Sequence, residues 1–258
     1  MKLTVIGCAG GYPYQDRATS SYLIQNSEGG HPILLDAGSG SLRSLEKIID
    51  PTLVKTLIVS HDHADHTADV GALQHVAMLR QSQVPSTPLT IYCHDQSQYA
   101  KLLMENESNH LQYYGPKTVI HDQSYVIRFQ KTNHPIECYA MRIQEMETQK
   151  VIVYTADSAW SEDLVEFSSG ADLLLADCNF LDEEGENDLH MTASQLAKLA
   201  NEAKVKQVVP VHIPPQTDHA LMVQQIMASL NREISLLEAY QGAVYLSLIH
   251  ISEPTRLL

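Results

Sequence analysis

The sequence predicts an α+β fold in a single domain, because short apolar runs alternate with amphipathic segments and no linker interrupts them. Six apolar runs have the length and the β-branched content of buried strands. At 258 residues the chain can bury a sizeable core. Apolar residues make up 44% and charged residues 19%, which is typical of globular proteins that fold unaided.

The predicted buried strands share one feature, since most of them are followed by a polar side chain. These strands are residues 3–6, 33–35, 56–59, 151–154, 173–176 and 208–211. The polar residues that follow within three positions are Asp36, His61, Asp157, Asp177 and His212. We expect this pattern to bring reactive side chains to one edge of a sheet.

Helical periodicity predicts three helices, at residues 70–79, 192–203 and 221–230. The second of these begins with Thr192 and Gln195, which have the spacing of a capping box. Its apolar positions recur on one face, so we expect that face to pack against a sheet.

Two further segments, residues 120–130 and 136–143, are predicted as antiparallel strands, because the second alternates apolar and polar positions. The acidic segment 182–188 is predicted as a solvated loop, and a mobile lid is the alternative.

The formal net charge of -14 argues against an extended contact with nucleic acid, because such binding depends on dense Lys and Arg pairing with phosphates. A small anionic substrate is compatible with this charge when metal ions reverse its sign locally. No apolar run reaches the length of a bilayer span, and the amino terminus lacks a signal-peptide pattern. The sequence therefore predicts a cytoplasmic protein without a membrane segment.

The four cysteines lack CxxC spacing, so we expect buried reduced thiols rather than disulfides or zinc ligands. They are Cys8, Cys93, Cys138 and Cys178.

The last segment, residues 246–258, breaks the alternation of strands and helices with the sequence LSLIHISEPTRLL. It resembles the translation of a transposon-derived sequencing adapter. We therefore predict a domain over residues 1–245 followed by a non-native tail, and His250 is given no functional role.

A compact motif directly after a predicted strand indicates a metal site. His61, His63, Asp65 and His66 lie within six residues, and their imidazole and carboxylate groups are the donors that borderline divalent metals prefer. A turn after the strand can direct the first two side chains to one ion and the last two to another. The alternative is a solvated histidine-rich loop.

With this motif the sequence resembles the metallo-β-lactamase superfamily, from about residue 1 to residue 245. The resemblance implies an αββα four-layer sandwich with the metals at one edge. It also implies further ligands at the ends of later strands, where His134, Asp157 and His212 occupy the matching positions. The implied first ion is held by His61, His63 and His134, the second by Asp65, His66 and His212, and Asp157 lies between the two.

The resemblance further implies hydrolytic chemistry. Two metal ions would lower the pKa of a bridging hydroxide and stabilise the attacking and leaving oxygens, and Asp65 would help to orient the nucleophile. The donor set favours two zinc ions, with manganese or iron as alternatives.

Three segments resemble the ribonuclease Z branch of that superfamily. They are Ala-Asp-Cys-Asn-Phe at 176–180, Leu-His-Met-Thr-Ala at 189–193 and Val-Lys-Gln-Val-Val at 205–209. In that branch an acidic residue pairs with a histidine that protonates the leaving oxygen, and Asp177 and His190 take these places. A helix-capping pair without a catalytic role is the alternative.

The amino-terminal glycine-rich turn, residues 7–11, also resembles that branch. Arg17 and the hydroxyl groups of residues 19–21 could contact a phosphate there, and a purely structural turn is the alternative.

One departure bears on the substrate, because transfer-RNA-processing members carry a basic arm between the third histidine ligand and the bridging aspartate. Only 22 residues separate His134 from Asp157, which is enough for a hairpin and no arm. We therefore predict a phosphodiesterase that acts on a small anionic substrate, with RNA disfavoured, and a homodimer by resemblance. The alternatives are a transfer-RNA 3′-processing endoribonuclease, a thioester or lactone hydrolase, and a non-catalytic scaffold subunit.

Overall fold

A computed structural model describes residues 1–26, 30–80, 87–122 and 124–246 of the chain. Residues 247–258 of the predicted tail lie outside the described residues. The backbone of Leu246 ends the last strand, which begins at Val244.

The described residues form fourteen strands, six α-helices and three 3₁₀ helices. The strands are β1 (Lys2–Gly7), β2 (Ser21–Gln25), β3 (Ile33–Leu35), β4 (Thr56–Ile58), β5 (Leu89–His94), β6 (Asn109–Tyr114), β7 (Val119–His121), β8 (Tyr125–Lys131), β9 (Tyr139–Glu145), β10 (Val151–Tyr154), β11 (Leu173–Asp177), β12 (Gln207–Val211), β13 (Ser235–Leu236) and β14 (Val244–Leu246). The α-helices are α1 (Ser41–Leu45), α2 (Ala64–Thr67), α3 (Val70–Arg80), α4 (Glu162–Ser168), α5 (Ala193–Glu202) and α6 (His219–Ser229). The 3₁₀ helices are Pro51–Leu53, Tyr99–Leu102 and Asp182–Glu184.

The strands form two seven-stranded sheets of mixed direction. The first sheet has the order β14-β1-β2-β3-β4-β5-β6, antiparallel as far as β3 and parallel from β3 onward. The second has the order β13-β12-β11-β10-β9-β8-β7, parallel from β13 to β10 and antiparallel beyond. In each sheet the parallel strands lie in one half, so the carboxyl ends of neighbouring strands meet at one edge.

The two sheets pack face to face, and helices cover their outer faces. Buried side chains of both sheets, among them Tyr22 and Tyr154, form the central apolar layer. Val70 and Leu73 of α3 pack against the first sheet, and Leu196 of α5 packs in the apolar layer of the second. The predicted αββα sandwich is confirmed.

The helices show why local signals predicted them well. The predicted capping box is present, with Thr192 Oγ1 accepting a hydrogen bond from the Gln195 backbone and the Gln195 side chain accepting one from the Thr192 backbone. The other two predicted helices are also present, within two residues of the expected ends.

Two expectations were wrong in detail. The segment 120–130 is not one strand, because the Asp122 amide donates to the Tyr125 carbonyl oxygen and the chain reverses there, so that β7 and β8 pair as a hairpin. The polar residues that follow the strands do not lie on one sheet. Asp36 and His61 belong to the first sheet, whereas Asp157, Asp177 and His212 belong to the second, and the two edges face each other.

Candidate metal centre

Four side chains from both sheets converge as the first group of potential metal ligands, His61, His63, His134 and Asp157. His61 Nε2 lies 3.0 Å from His63 Nδ1, which lies 3.3 Å from His134 Nε2. Asp157 Oδ2 is 3.5 Å from His61 Nε2 and 3.9 Å from His134 Nε2. The group contains the three histidines predicted for the first ion, together with the predicted bridging aspartate.

Asp65, His66 and His212 form a second group. Asp65 Oδ2 lies 2.9 Å from His212 Nε2 and 3.7 Å from His66 Nε2. Asp157 reaches this group as well, because its Oδ1 lies 3.2 Å from His66 Nε2 and its Oδ2 lies 3.4 Å from His212 Nε2. Asp157 therefore adjoins both groups, the position expected of a bridging ligand.

Buried atoms at the centre lack the partners that burial demands. His66 Nε2 and Asp157 Oδ1 are buried, and neither has a hydrogen-bond partner of good geometry among the described residues. Burying such groups without a partner is costly. A divalent cation between the imidazole nitrogens and the carboxylate would satisfy these atoms, so the residues present fit a metal site.

Outer hydrogen bonds fix which ring nitrogen faces the centre. His134 Nδ1 lies 3.0 Å from the Leu189 carbonyl oxygen, and His66 Nδ1 lies 2.7 Å from Asp36 Oδ2. Both partners accept a hydrogen bond, so each ring carries a proton on Nδ1 and directs Nε2 to the centre, where a metal ion can displace any proton on Nε2.

Asp36 anchors the first-sheet side of the centre. This buried carboxylate accepts hydrogen bonds from the Ser60 amide and hydroxyl at 2.7 and 2.8 Å, and from the Tyr154 hydroxyl at 2.8 Å. Because Tyr154 belongs to β10, Asp36 also connects the two sheets beneath the ligands. The sequence pattern marked Asp36 only as a polar residue directly after a predicted strand, and no role was predicted for it.

Asp177 and His190 form the predicted pair, and together with Asp157 and His212 they make a third group of potential metal ligands. His190 Nδ1 lies 2.7 Å from Asp177 Oδ2, and the His190 ring stacks on the His212 ring with centroids 5.0 Å apart. The Ser158 amide donates to the same Asp177 oxygen at 2.9 Å. Burial lowers the pKa of His190, but the Asp177 carboxylate outweighs burial and raises it above the usual value.

The electrostatics of the ligands follow from burial and from their carboxylate neighbours. Burial lowers the pKa of His61 well below its usual value. Burial also opposes protonation of His66 and His212, but Asp157 and its neighbours raise the pKa of His66 well above normal and that of His212 to about 8. The buried carboxylates therefore favour protons on the neighbouring imidazoles. A divalent cation could take the place of these protons and neutralise the same carboxylates.

Close backbone packing holds the centre together. A side chain at Gly38 would lie 2.0 Å from the Asp65 carbonyl oxygen, and one at Gly10 would lie 2.4 Å from that of His212. Both positions therefore require glycine. The Gly11 amide donates to Asp65 Oδ2 at 2.8 Å, so the amino-terminal turn touches a predicted ligand directly.

The proposed phosphate contact through hydroxyl groups of residues 19–21 is absent. Thr19, Ser20 and Ser21 are completely buried, and the Ser21 hydroxyl donates to the Asp36 carbonyl oxygen at 2.9 Å. These three residues support the turn. The Arg17 side chain extends to His219 instead.

The cysteines take no part in the centre. All four are buried and free, as predicted, and burial raises the pKa of Cys8 to about 11. Within the described ranges, none of the helices has the length and hydropathy that crossing a bilayer requires.

A family model described as the β-lactamase superfamily domain matches residues 31–213 of the chain. The chain belongs to this superfamily. The match includes all three groups of potential metal ligands found among the described residues, which implies a divalent metal and supports a metal-dependent hydrolase.

Relatives and solved structures agree with this assignment. The chain is 34% identical over 240 residues to the probable metallo-hydrolase YhfI of Bacillus subtilis, covering 92% of this chain and 96% of YhfI. The crystal structure of YhfI superposes with a TM-score of 0.87 at 32% identity, covering 95% of this chain and 98% of that one.

More distant neighbours share the fold and include ribonuclease Z. The short form of human tRNase Z has a TM-score of 0.73 at 18% identity, with 96% of this chain and 100% of that chain covered. A diphosphatase from the PhnP family has a TM-score of 0.71 at 16% identity, with 95% and 96% covered. The predicted resemblance to the ribonuclease Z-like part of the superfamily is confirmed at the level of fold.

Proposed function

We propose that the protein is a binuclear zinc hydrolase that cleaves phosphodiesters. The observation that carries this proposal is the position of Asp157 between two groups of ligands, each completed by three further side chains. His61, His63 and His134 would hold the first ion, and Asp65, His66 and His212 the second. Two bound ions would activate water and neutralise the charge of a phosphodiester.

The residues around the ligands divide the remaining work. Asp65 Oδ2 accepts a hydrogen bond from the Gly11 amide, which fixes the carboxylate so that it can help to orient the attacking water. His63 is exposed while His61 is buried, so the first group opens to solvent on the His63 side. Substrate would approach from there.

His190 is the general acid in this proposal. Its Nδ1 is engaged by Asp177, which leaves Nε2 free to donate a proton to the leaving oxygen. The Asp177 carboxylate raises the pKa of His190, which favours the protonated ring that a general acid requires. Asp177 acts through His190 and is therefore a positioning residue. A purely capping role is disfavoured. Asp177 accepts a hydrogen bond from the His190 imidazole, whereas the N-cap of α5 is Thr192.

The small phosphodiester is favoured over transfer RNA for two reasons. The chain between His134 and Asp157 forms only β9, β10 and their turn, with no inserted arm. The net charge of -14 also opposes extended contact with a polyanion. A transfer-RNA 3′-processing endoribonuclease and a thioester or lactone hydrolase are the alternative activities, and a scaffold without activity is the alternative outside enzymes.

Metal analysis combined with turnover of bis(p-nitrophenyl) phosphate tests the proposal. We expect two zinc ions per chain and hydrolysis that Asp65→Ala abolishes, because this change removes a ligand and the orienting carboxylate. Parallel assays with a β-lactam, a lactone and a thioester separate the alternatives. Metal-loaded protein that cleaves none of these compounds would support the scaffold and contradict the proposal. Zinc rather than manganese or iron, the homodimer and the cytoplasmic location remain predictions.

A further inference from the structure

The amino-terminal turn presents an aromatic and basic surface next to the metal centre. Residues 11–16 are all exposed, and Tyr12 and Tyr14 expose 43% and 40% of their surface. A tight turn holds the second ring, because Tyr14 and Arg17 exchange backbone hydrogen bonds of 3.0 and 2.9 Å. Two exposed tyrosines separated by one proline are an arrangement that core packing does not explain.

This turn is held next to the metal ligands at its start and by Gln241 at its end. Gly11 donates to Asp65, and the Gly10 amide donates to the Ile213 carbonyl oxygen at 3.0 Å, directly after His212. The Ala18 amide donates to Gln241 Oε1 at 2.9 Å. The tyrosines are therefore carried by a backbone that is pinned beside the proposed second ion.

Two basic side chains meet at the end of this turn. Arg17 Nη1 lies 3.4 Å from His219 Nε2, and the guanidinium lies 5.8 Å from the centroid of the Tyr14 ring. His219 belongs to none of the groups of potential metal ligands found among the described residues. In a chain of net charge -14, the Arg17 guanidinium gives this turn a cationic group beside an imidazole and an aromatic ring, and an anion could bind to it.

The carboxylate of Asp218, next to His219 in the chain, is engaged by the backbone of α6. The side chain of Asp218 caps α6, where it accepts a hydrogen bond from the Leu221 amide at 3.1 Å. Arg17 makes no ion pair within the described part of the chain, in contrast to Arg80, which binds Asp50 at 2.8 Å. A phosphate could accept hydrogen bonds from Arg17 and from a ring N–H of His219, while exposed rings stack on a base.

We propose that Tyr12, Tyr14, Arg17 and His219 form a recognition site for a nucleotide, in which the rings contact a base and Arg17 with His219 binds a phosphate that is not cleaved. This inference rests on the proposed phosphodiesterase activity and narrows its substrate class. The substrates are short nucleotides that carry a second phosphate besides the scissile one.

A pair of dinucleotides tests the phosphate part. The zinc-loaded full chain is assayed with adenylyl-(3′→5′)-adenosine and with its 5′-phosphorylated form. We expect wild-type kcat/KM to be about tenfold higher for the phosphorylated form, the size expected for a charge-assisted contact. Arg17→Gln removes this preference, and Arg232→Gln, an exposed arginine elsewhere, retains it. Equal preference in the Arg17 and Arg232 variants, or none in wild type, overturns the proposal.

A second set of variants tests the aromatic part. Tyr12→Ala and Tyr14→Ala should each lower kcat/KM several-fold for both dinucleotides and leave the zinc content unchanged. Tyr113→Ala, at an exposed tyrosine on β6, is the matched control. A loss of zinc together with activity would indicate a disturbed metal centre, and an unchanged kcat/KM in both tyrosine variants would exclude contact with a base. Either result overturns the recognition role.

Binding without turnover separates this proposal from the proposed function. Calorimetry with adenosine 3′,5′-bisphosphate should give a dissociation constant about tenfold larger for Arg17→Gln and for His219→Gln than for wild type. If wild type cleaves no phosphodiester, the proposed function fails, while this difference in binding still supports the recognition site. Unchanged binding in both variants overturns it even if phosphodiesters are cleaved.

Discussion

The two sheets contribute to the centre in different ways. The first sheet supplies four predicted ligands from one short segment after β4, and Asp36 braces that segment from below. The second sheet supplies His134, Asp157 and His212 from three separate connections. Each group of ligands contains side chains from both sheets, so neither sheet can complete a metal site alone. Metal binding should therefore depend on the packing of the two sheets.

Removing the side chain that joins the two halves should have the largest effect. Asp157→Ala deletes the carboxylate that lies within 3.5 Å of ligand atoms in both groups. We expect the variant to lose both ions and to turn over bis(p-nitrophenyl) phosphate about a thousandfold more slowly. Elemental analysis and initial rates measure these effects.

Asp95→Ala is the control for this change, because Asp95 is exposed just after β5 and belongs to neither group. If the Asp157 variant retained two tightly bound ions, the two halves would not depend on each other through this residue.

At His190, on the second-sheet side of the centre, catalysis should be separable from metal binding. His190→Gln should lower kcat by about 10²- to 10⁴-fold, the usual contribution of a general acid, with the metal content unchanged. In wild type the protonated ring is the active form, so the rate should fall as the pH rises through the raised pKa of His190. The variant should lack this alkaline decline. A loss of metal together with activity would instead indicate a structural role.

On the first-sheet side, metal affinity should depend on Asp36, which orients His66. Asp36→Asn weakens the hydrogen bond that orients His66, so we expect about 10- to 100-fold lower metal affinity, measured by competition with a chelator. At saturating metal the rate should recover most of its wild-type value, because no ligand has been removed. Unchanged affinity would show that the packing of α2 orients His66 without help from Asp36.

The same contrast explains how much the sequence could predict. The compact motif from His61 to His66 indicated a metal site by itself, because all its donors lie within one turn. The second-sheet ligands were predicted from the resemblance, since each is a single residue in its own local sequence. The role of Asp36 was missed, because its partner Tyr154 approaches from another sheet and only the folded chain brings them together.

The fold shows a similar division. Strands β3 and β10 were predicted with their observed ends, because their residues are buried on both faces and form continuous apolar runs. Strands β5 and β6 were missed. Strand β6 lies at the edge of the first sheet and reads Asn-His-Leu-Gln-Tyr-Tyr, so it lacks an apolar run, and its pairing with β5 depends on distant residues.

The two ends of β11 give the last and smallest test. Asp177 at the carboxyl end bonds His190, whereas Asp172, just before the amino end, accepts hydrogen bonds from Lys206 Nζ at 2.7 Å and the Val151 amide at 2.9 Å. Burial opposes ionisation of Asp172, but these bonds outweigh it and lower its pKa. Asp172 therefore contributes to stability and lies outside the centre.

Asp172→Asn should lower the free energy of unfolding by about 1 kcal/mol at neutral pH, measured by urea denaturation. Because the folded pKa of Asp172 is depressed, its contribution is complete above about pH 4, the unfolded value, and disappears as the pH falls through the folded pKa. Wild type and variant should thus converge in stability in acid, and at neutral pH the variant should have the metal content and kcat of wild type. A change in kcat would mean that β11 transmits strain from one end to the other, and the functional half of the second sheet would then extend beyond its carboxyl edge.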